Sequence, residues 1–151
     1  MSTTRRLLLM GLMAVCAFGA DFSGKWKLDA AKSDFGPIPP PESMTRVVSQ
    51  TKAAITFETT QKNAQGEVVT KYVFPLDGSE ATSKSDLGEV KGTAVREGEA
   101  IRIKTKREAN GMEITFDELW TLAADGKTLN VANKVGTPQG EFDLKLVLVK
   151  Q

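Results

Sequence analysis

From Asp21 onward, apolar and polar residues alternate with a period of two, and no stretch keeps helical periodicity for three turns. Phe22, Gly24, Trp26 and Leu28 fall on one face, with Ser23, Lys25, Lys27 and Asp29 on the other. Ile101, Ile103 and Thr105 alternate with Arg102, Lys104 and Lys106. Phe142, Leu144, Leu146 and Leu148 alternate with Asp143, Lys145, Val147 and Val149. Ile114, Phe116, Trp120 and Leu122 share a face that only Glu118 interrupts. Successive side chains of a strand leave on opposite sides, so each run predicts an antiparallel strand with one dry face.

Turn chemistry separates these runs: Asn63-Ala64-Gln65-Gly66, Asp77-Gly78, Leu87-Gly88, Glu97-Gly98, Asn110-Gly111, Asp125-Gly126 and Thr137-Pro138-Gln139-Gly140. Asn-Gly and Asp-Gly tolerate the positive φ of tight hairpins. The spacing predicts eight to ten strands in an up-and-down meander. An open sheet of this kind leaves two bare edges, and closure into a barrel removes them. The predicted fold is therefore an all-β, antiparallel up-and-down barrel spanning residues 21–151.

One connection breaks the rhythm. Asp29 to Lys32 suits a short helical turn, and Pro37-Ile38-Pro39-Pro40-Pro41 follows. Proline fixes φ and removes backbone donors, so this segment is a stiff loop. It either crosses one mouth of the barrel or simply links two strands.

The N-terminus reads as an address. Arg5-Arg6 precede an apolar run from Leu7 to Ala17, and Ala17-Phe18-Gly19 closes it with small residues. Residues 1–19 are expected to be a signal peptide, cleaved after Gly19 or after Ala20. The run falls short of the roughly 20 residues a spanning helix needs, so no membrane span is expected in the mature chain. Cys16 follows Met13-Ala14-Val15, a poor lipoprotein signal, and ordinary export to the periplasm or the medium is the expectation.

With 151 residues, 40% hydrophobic and 26% charged, the chain suits one globular domain. Its formal charge of +1 is spread along the sequence, which gives no electrostatic footprint for nucleic acid or an anionic membrane. The chain has no histidine, and its single cysteine, Cys16, lies in the segment expected to be removed. Imidazole bases and His- or Cys-activated nucleophiles are thereby excluded from the mature part, and the usual donors for zinc, copper, haem and iron–sulfur clusters are missing. Neither a disulfide framework nor an Asp-x-Asp-x-Asp-Gly calcium loop is present. No metal and no cofactor is expected.

Gly24-Lys25-Trp26 in the first strand, before a long loop and a run of hairpins, resembles the lipocalins and the wider calycin superfamily. The resemblance implies that Trp26 plugs the closed end of the barrel beneath a basic residue from the last strand. Lys150 shares parity with Leu144, Leu146 and Leu148 and is the candidate, although the family usually has arginine there. Gly24, Trp26 and Lys150 would form this cap, a cation over an indole face being worth about 0.5–2 kcal/mol. The family's Thr-Asp-Tyr signature is absent. Phe22 to Asp29, Lys32-Ser33, Pro39-Pro40-Pro41 and Asp125-Gly126-Lys127-Thr128-Leu129 resemble uncharacterised lipocalin-like bacterial secreted proteins. That group implies a fold and no activity.

Three features could carry chemistry. Ser49-Gln50-Thr51-Lys52 matches Ser-x-x-Lys, but that pairing needs a helical turn and the surroundings read as strand. Glu118 stands on an apolar face, where an isolated charge is costly. It is either an interior anchor for a ligand's polar end or an acid altered by burial. Otherwise a bulge turns it outward and brings Leu119 in, or it pairs with a cation such as Arg46 or Lys150. The third feature is a pocket lined by Phe57, Tyr72, Phe116, Trp120 and Trp26, with Gly92 and Ala94, if inward, leaving room. An eight-stranded barrel either holds one small ligand or is filled with side chains.

The expected function is non-catalytic binding of a small apolar or amphipathic molecule inside the barrel, with Glu118, Trp120, Phe116, Tyr72 and Phe57 as the ligand-binding residues. A monomer is expected. Two competing readings are a solid barrel that contacts an envelope component and a carboxylate-dependent isomerase, cyclase or hydrolase. The latter would need two converging carboxylates.

Overall fold

The computed structural model describes residues 19–151. Apart from Gly19, the expected signal peptide therefore lies outside the described residues. The alternating runs form ten strands: β1 (Gly24–Leu28), β2 (Ser43–Gln50), β3 (Ala54–Asn63), β4 (Gly66–Pro75), β5 (Ala81–Ser85), β6 (Gly88–Glu97), β7 (Ala100–Ala109), β8 (Met112–Leu122), β9 (Thr128–Thr137) and β10 (Gly140–Lys150). A single 3-10 turn, Ala30–Lys32, follows Asp29, whose carboxylate accepts the Lys32 N–H. Among the described residues no helix is long and apolar enough to cross a membrane.

The strands make one antiparallel sheet in the order β4-β3-β2-β1-β10-β9-β8-β7-β6-β5. First and last strands pair, with Trp26 opposite Lys150, and this curls the meander into a nearly closed barrel. All seven predicted turns lie between strands. At the β7–β8 hairpin both Asn110 (φ 52°) and Gly111 (φ 75°) are left-handed, as a two-residue turn between twisted strands requires.

The turn between β2 and β3 was not legible in the pattern, because it holds no glycine or proline. The Thr51 hydroxyl makes it instead, accepting the N–H groups of Ala53 at 3.2 Å and Ala54 at 3.1 Å. The same turn disposes of the Ser-x-x-Lys motif. Ser49 is exposed on β2 opposite Thr56, and Lys52 lies in the turn, with no helix to bring the two together.

Closure stops short at one seam. β4 and β5 lie side by side without a ladder of main-chain bonds. Side chains of β5 and the turn after it satisfy two β4 donors there. Val73 N–H reaches Ser83 Oγ at 3.3 Å, and Val69 N–H reaches Asp86 Oδ2 at 3.1 Å.

The interior is packed unevenly. At the end where β1 begins and β10 finishes, Phe22, Trp26, Phe74, Ile101, Trp120 and Leu129 are completely buried. The Trp26 indole N–H donates to Phe22 O at 2.9 Å, and Lys150 Nζ lies 5.7 Å from the Trp26 ring centroid. Gly24 makes this possible: at φ 141° a side chain would be strained, and its Cβ would stand 3.0 Å from Lys150 Cε. Gly92 and Ala94 were expected to leave room, but they do not. Ala94 is fully buried in the core, and the space beside Gly92 is taken by Thr105 Cγ2 and Phe74 Cζ, 2.7 and 3.1 Å from where a Cβ would lie.

Candidate functional site

The other end of the barrel is hollow. A cavity of about 340 Å³ lies among the inward residues of β2, β3, β4, β7, β8, β9 and β10. Apolar wall comes from Met44, Phe57, Val68, Ile103, Phe116, Leu144 and Leu146. Phe35, Ile38, Pro39 and Pro41 line it too, so the proline-rich loop lies over this mouth, with Leu87 from the β5–β6 turn nearby.

That loop is pinned as well as stiff. Asp34 exchanges main-chain bonds with Lys145, at 2.7 and 2.8 Å. Ser33 Oγ accepts the Val147 N–H at 2.9 Å while donating to Asp29 O at 2.8 Å. Gly36, at φ 53°, turns the chain where a Cβ would come within 3.0 Å of Asp143 O.

The floor of the cavity is polar. Arg46 is 5% exposed on the inner face of β2, opposite Thr59 in register. Its Nε donates to Thr59 Oγ1 at 2.9 Å. Its guanidinium carbon lies 4.9 Å from the Trp120 ring centroid and 5.4 Å from that of Phe57, a doubly stacked cation. Burial pushes its pKa below the ordinary arginine value, while the charge of Glu118 and the Tyr72 hydroxyl oppose that shift. Arg46 Nη1 has no hydrogen-bond partner among the described residues.

Glu118 faces inward. The β8–β9 register runs unbroken through Asp117–Lys134, Glu118–Asn133 and Leu119–Ala132, so no bulge turns it out and Leu119 stays on the outer side. Its Oε2 accepts the Trp120 indole N–H at 2.8 Å. Arg46 acts on it as a countercharge through space and not as a contact pair. Beside it, Asn133 is 6% exposed, and among the described residues its Oδ1 lacks a partner, as does Arg107 Nε further along β7. Tyr72 has its pKa raised, first by burial; the Thr70 hydrogen bond and the charges of Arg107 and Arg46 act against this, and Glu118 adds to it.

Of the residues singled out from the sequence, Phe57, Tyr72, Phe116 and Glu118 are on the cavity wall. Trp120 lies one layer below, fully buried beneath Arg46, and reaches the cavity only through its bond to Glu118. Trp26 belongs to the closed end. Sequence reasoning named Arg46 only as a partner for Glu118 and passed over Arg107, Asn133 and Thr59. The signal was present: Arg46 shares parity with Met44 and Val48, and Asn133 with Val131 and Val135. Among the described residues no group of three or more acidic side chains is placed to hold a metal ion.

Several solved structures share this overall fold. A secretory abundant heat soluble protein from Ramazzottius varieornatus superposes with a TM-score of 0.62 at 14% identity, covering 89% of this chain and 98% of that one. Zebrafish ileal bile acid-binding protein, complexed with cholic acid, gives 0.57 at 18% identity over 86% and 98%. A Schistosoma mansoni fatty acid binding protein in complex with arachidonic acid gives 0.50 at 13% identity over 86% and 96%. No family model matches the chain, and no curated protein matches it in sequence. The likeness is one of architecture: the chain has a lipocalin- and calycin-like fold.

Proposed function

We propose that this chain is an exported, non-catalytic binding protein that holds a small apolar or amphipathic molecule in the barrel. The observation that carries the reading is the division of the interior. Ordinary core packing fills one end, while the other keeps about 340 Å³ of space, within the range of small-molecule sites. Phe57, Tyr72, Phe116 and Glu118 would meet the ligand directly, and Trp120 would act from behind Arg46. Burial of the ligand's apolar surface would supply affinity at about 25 cal/mol per Å². Support also comes from the architectural likeness to proteins solved with cholic acid and arachidonic acid. Export, and kinship with lipocalin-like bacterial secreted proteins, belong to the same proposal and rest on the N-terminal pattern and the Gly24-Lys25-Trp26 context.

A catalytic reading is less well supported, because Glu118 is the one carboxylate among the residues lining the cavity. Native mass spectrometry of protein purified from its host tests the binding reading. A co-purified small molecule is expected. Bare polypeptide, together with tryptophan fluorescence indifferent to a panel of fatty acids, isoprenoids and pigments, would end it.

A further inference from the structure

Among the described residues, exposed large apolar side chains fall into two groups. Val47, Val73, Val95 and Val149 stand on outer strand faces, where a β-branched residue suits the strand itself. Ile38, Leu87 and Met112 have no such reason. Ile38 belongs to the proline-rich loop, Leu87 to the β5–β6 turn, and Met112 starts β8 beside the Asn110-Gly111 turn. They are 41%, 42% and 39% exposed. All three lie at the hollow end. Ile38 and Leu87 border the cavity, and Met112 stands opposite Ala109, two residues past Arg107 of the cavity wall. Apolar tips gathered around one opening mark a contact surface.

The same rim is acidic. Lys62 faces Glu67 and Lys84 faces Glu89 across their hairpins. Arg107 lies over the Phe116 ring and lines the cavity. Glu42, Asp86, Glu108, Glu113 and Glu141 are exposed at this end in addition. Glu108 and Glu113 stand directly opposite each other on β7 and β8, an arrangement that costs stability. Lys91 and Lys106 come next, two residues further from the turns and on the outer wall.

We propose that this rim is a docking surface for a protein that presents lysine or arginine around an apolar patch. The partner's cations meet the rim carboxylates, and its apolar centre covers Ile38, Leu87 and Met112. Those carboxylates repel an anionic bilayer, and a second copy set mouth to mouth would bring like charges together. The contact closes over the cavity mouth and needs no guest in the barrel.

Titration of an amphipathic helical peptide of about 16 leucine and lysine residues into the isotope-labelled mature chain tests this. Amide shifts are expected at Ile38, Leu87 and Met112, and binding should weaken as salt rises. Leu87→Ser and Met112→Ser together should weaken it about tenfold. Glu113→Lys should weaken it about threefold while leaving thermal stability unchanged or raised, because an opposite-charge pair replaces a like-charge one. Glu99→Lys, in the β6–β7 turn at the dense end, should change nothing. Equal binding of a peptide with glutamate in place of lysine would overturn the proposal. So would no binding of the lysine peptide, shifts centred on the dense end, or an affinity that the rim variants leave untouched. Flotation of the protein with phosphatidylglycerol vesicles would overturn it in favour of a membrane.

Discussion

Arg46 sits where a strand pattern calls for an aliphatic side chain, between Met44 and Val48 on the inner face of β2. Two aromatic rings, the Thr59 hydroxyl and the opposing charge of Glu118 make that position tolerable. Arg46→Met removes the countercharge of Glu118 and should lower stability by about 1.5–3 kcal/mol in chemical denaturation. Adding Glu118→Gln should recover most of the loss, since the remaining polar group is neutral; strictly additive costs would show that the two do not interact. Tyr72 gives a pH signature. Its raised folded pKa means that the unfolded chain releases the phenolic proton first as pH climbs through about 10. The unfolded state then binds fewer protons, so stability, fully present below that pH, should fall until the folded value is passed. Tyr72→Phe should flatten this decline. Tyr72 is the chain's only tyrosine, so tyrosinate absorbance reads it alone. Glu118 was legible in the sequence because a charge on an apolar face stands out, and Arg46 and Asn133 obey the same logic. Which of their atoms go without partners depends on rotamers meeting across the barrel, and alternation along one strand carries no trace of that.

The strands and most hairpins were legible for a simple reason: period-two patterning and left-handed turn residues are both local. Thr51 shows the limit, a side-chain hydroxyl doing the work usually left to glycine. The β4–β5 seam shows another. Asp77-Gly78 looks like any hairpin turn, and alternation is the same whether neighbouring strands pair or merely lie together. Ser83→Ala should leave the Val73 N–H without its acceptor, cost about 1 kcal/mol, and speed hydrogen exchange at that amide. Asp86→Ala, at an exposed site, should change stability by no more than about 0.5 kcal/mol while exposing the Val69 amide. Unchanged exchange at both amides would mean that these side chains do not fasten the seam.

Taken whole, the barrel has a dense end and a hollow one, and a guest should affect them differently. A ligand at about 100 times its dissociation constant adds about 2.7 kcal/mol to the unfolding free energy. The gain in hydrogen-exchange protection should concentrate in residues 34–41 and in the turns at 63–66, 86–87 and 110–111. Uniform protection would place the binding elsewhere. The dense end also bears on the two cleavage points proposed for the signal peptide. Ala20 O accepts from Gln50 Nε2 and Arg96 Nη1, both at 3.3 Å. A mature chain beginning at Ala20 should therefore be more stable than one beginning at Asp21 by about 0.5–1.5 kcal/mol. Mass spectrometry of protein recovered from the periplasm or the medium, where the proposed export would deliver it, would show which start is used.

On the binding reading proposed above, the join between β4 and β5 is where the wall would widen for a larger guest. Anywhere else around the circumference, letting the barrel out would tear a run of main-chain bonds. Along that one line it strains two side-chain contacts, from Ser83 and Asp86. If the barrel holds a guest as proposed, a molecule bulkier than the resting space should enter by spreading this join while the rest of the cylinder keeps its form.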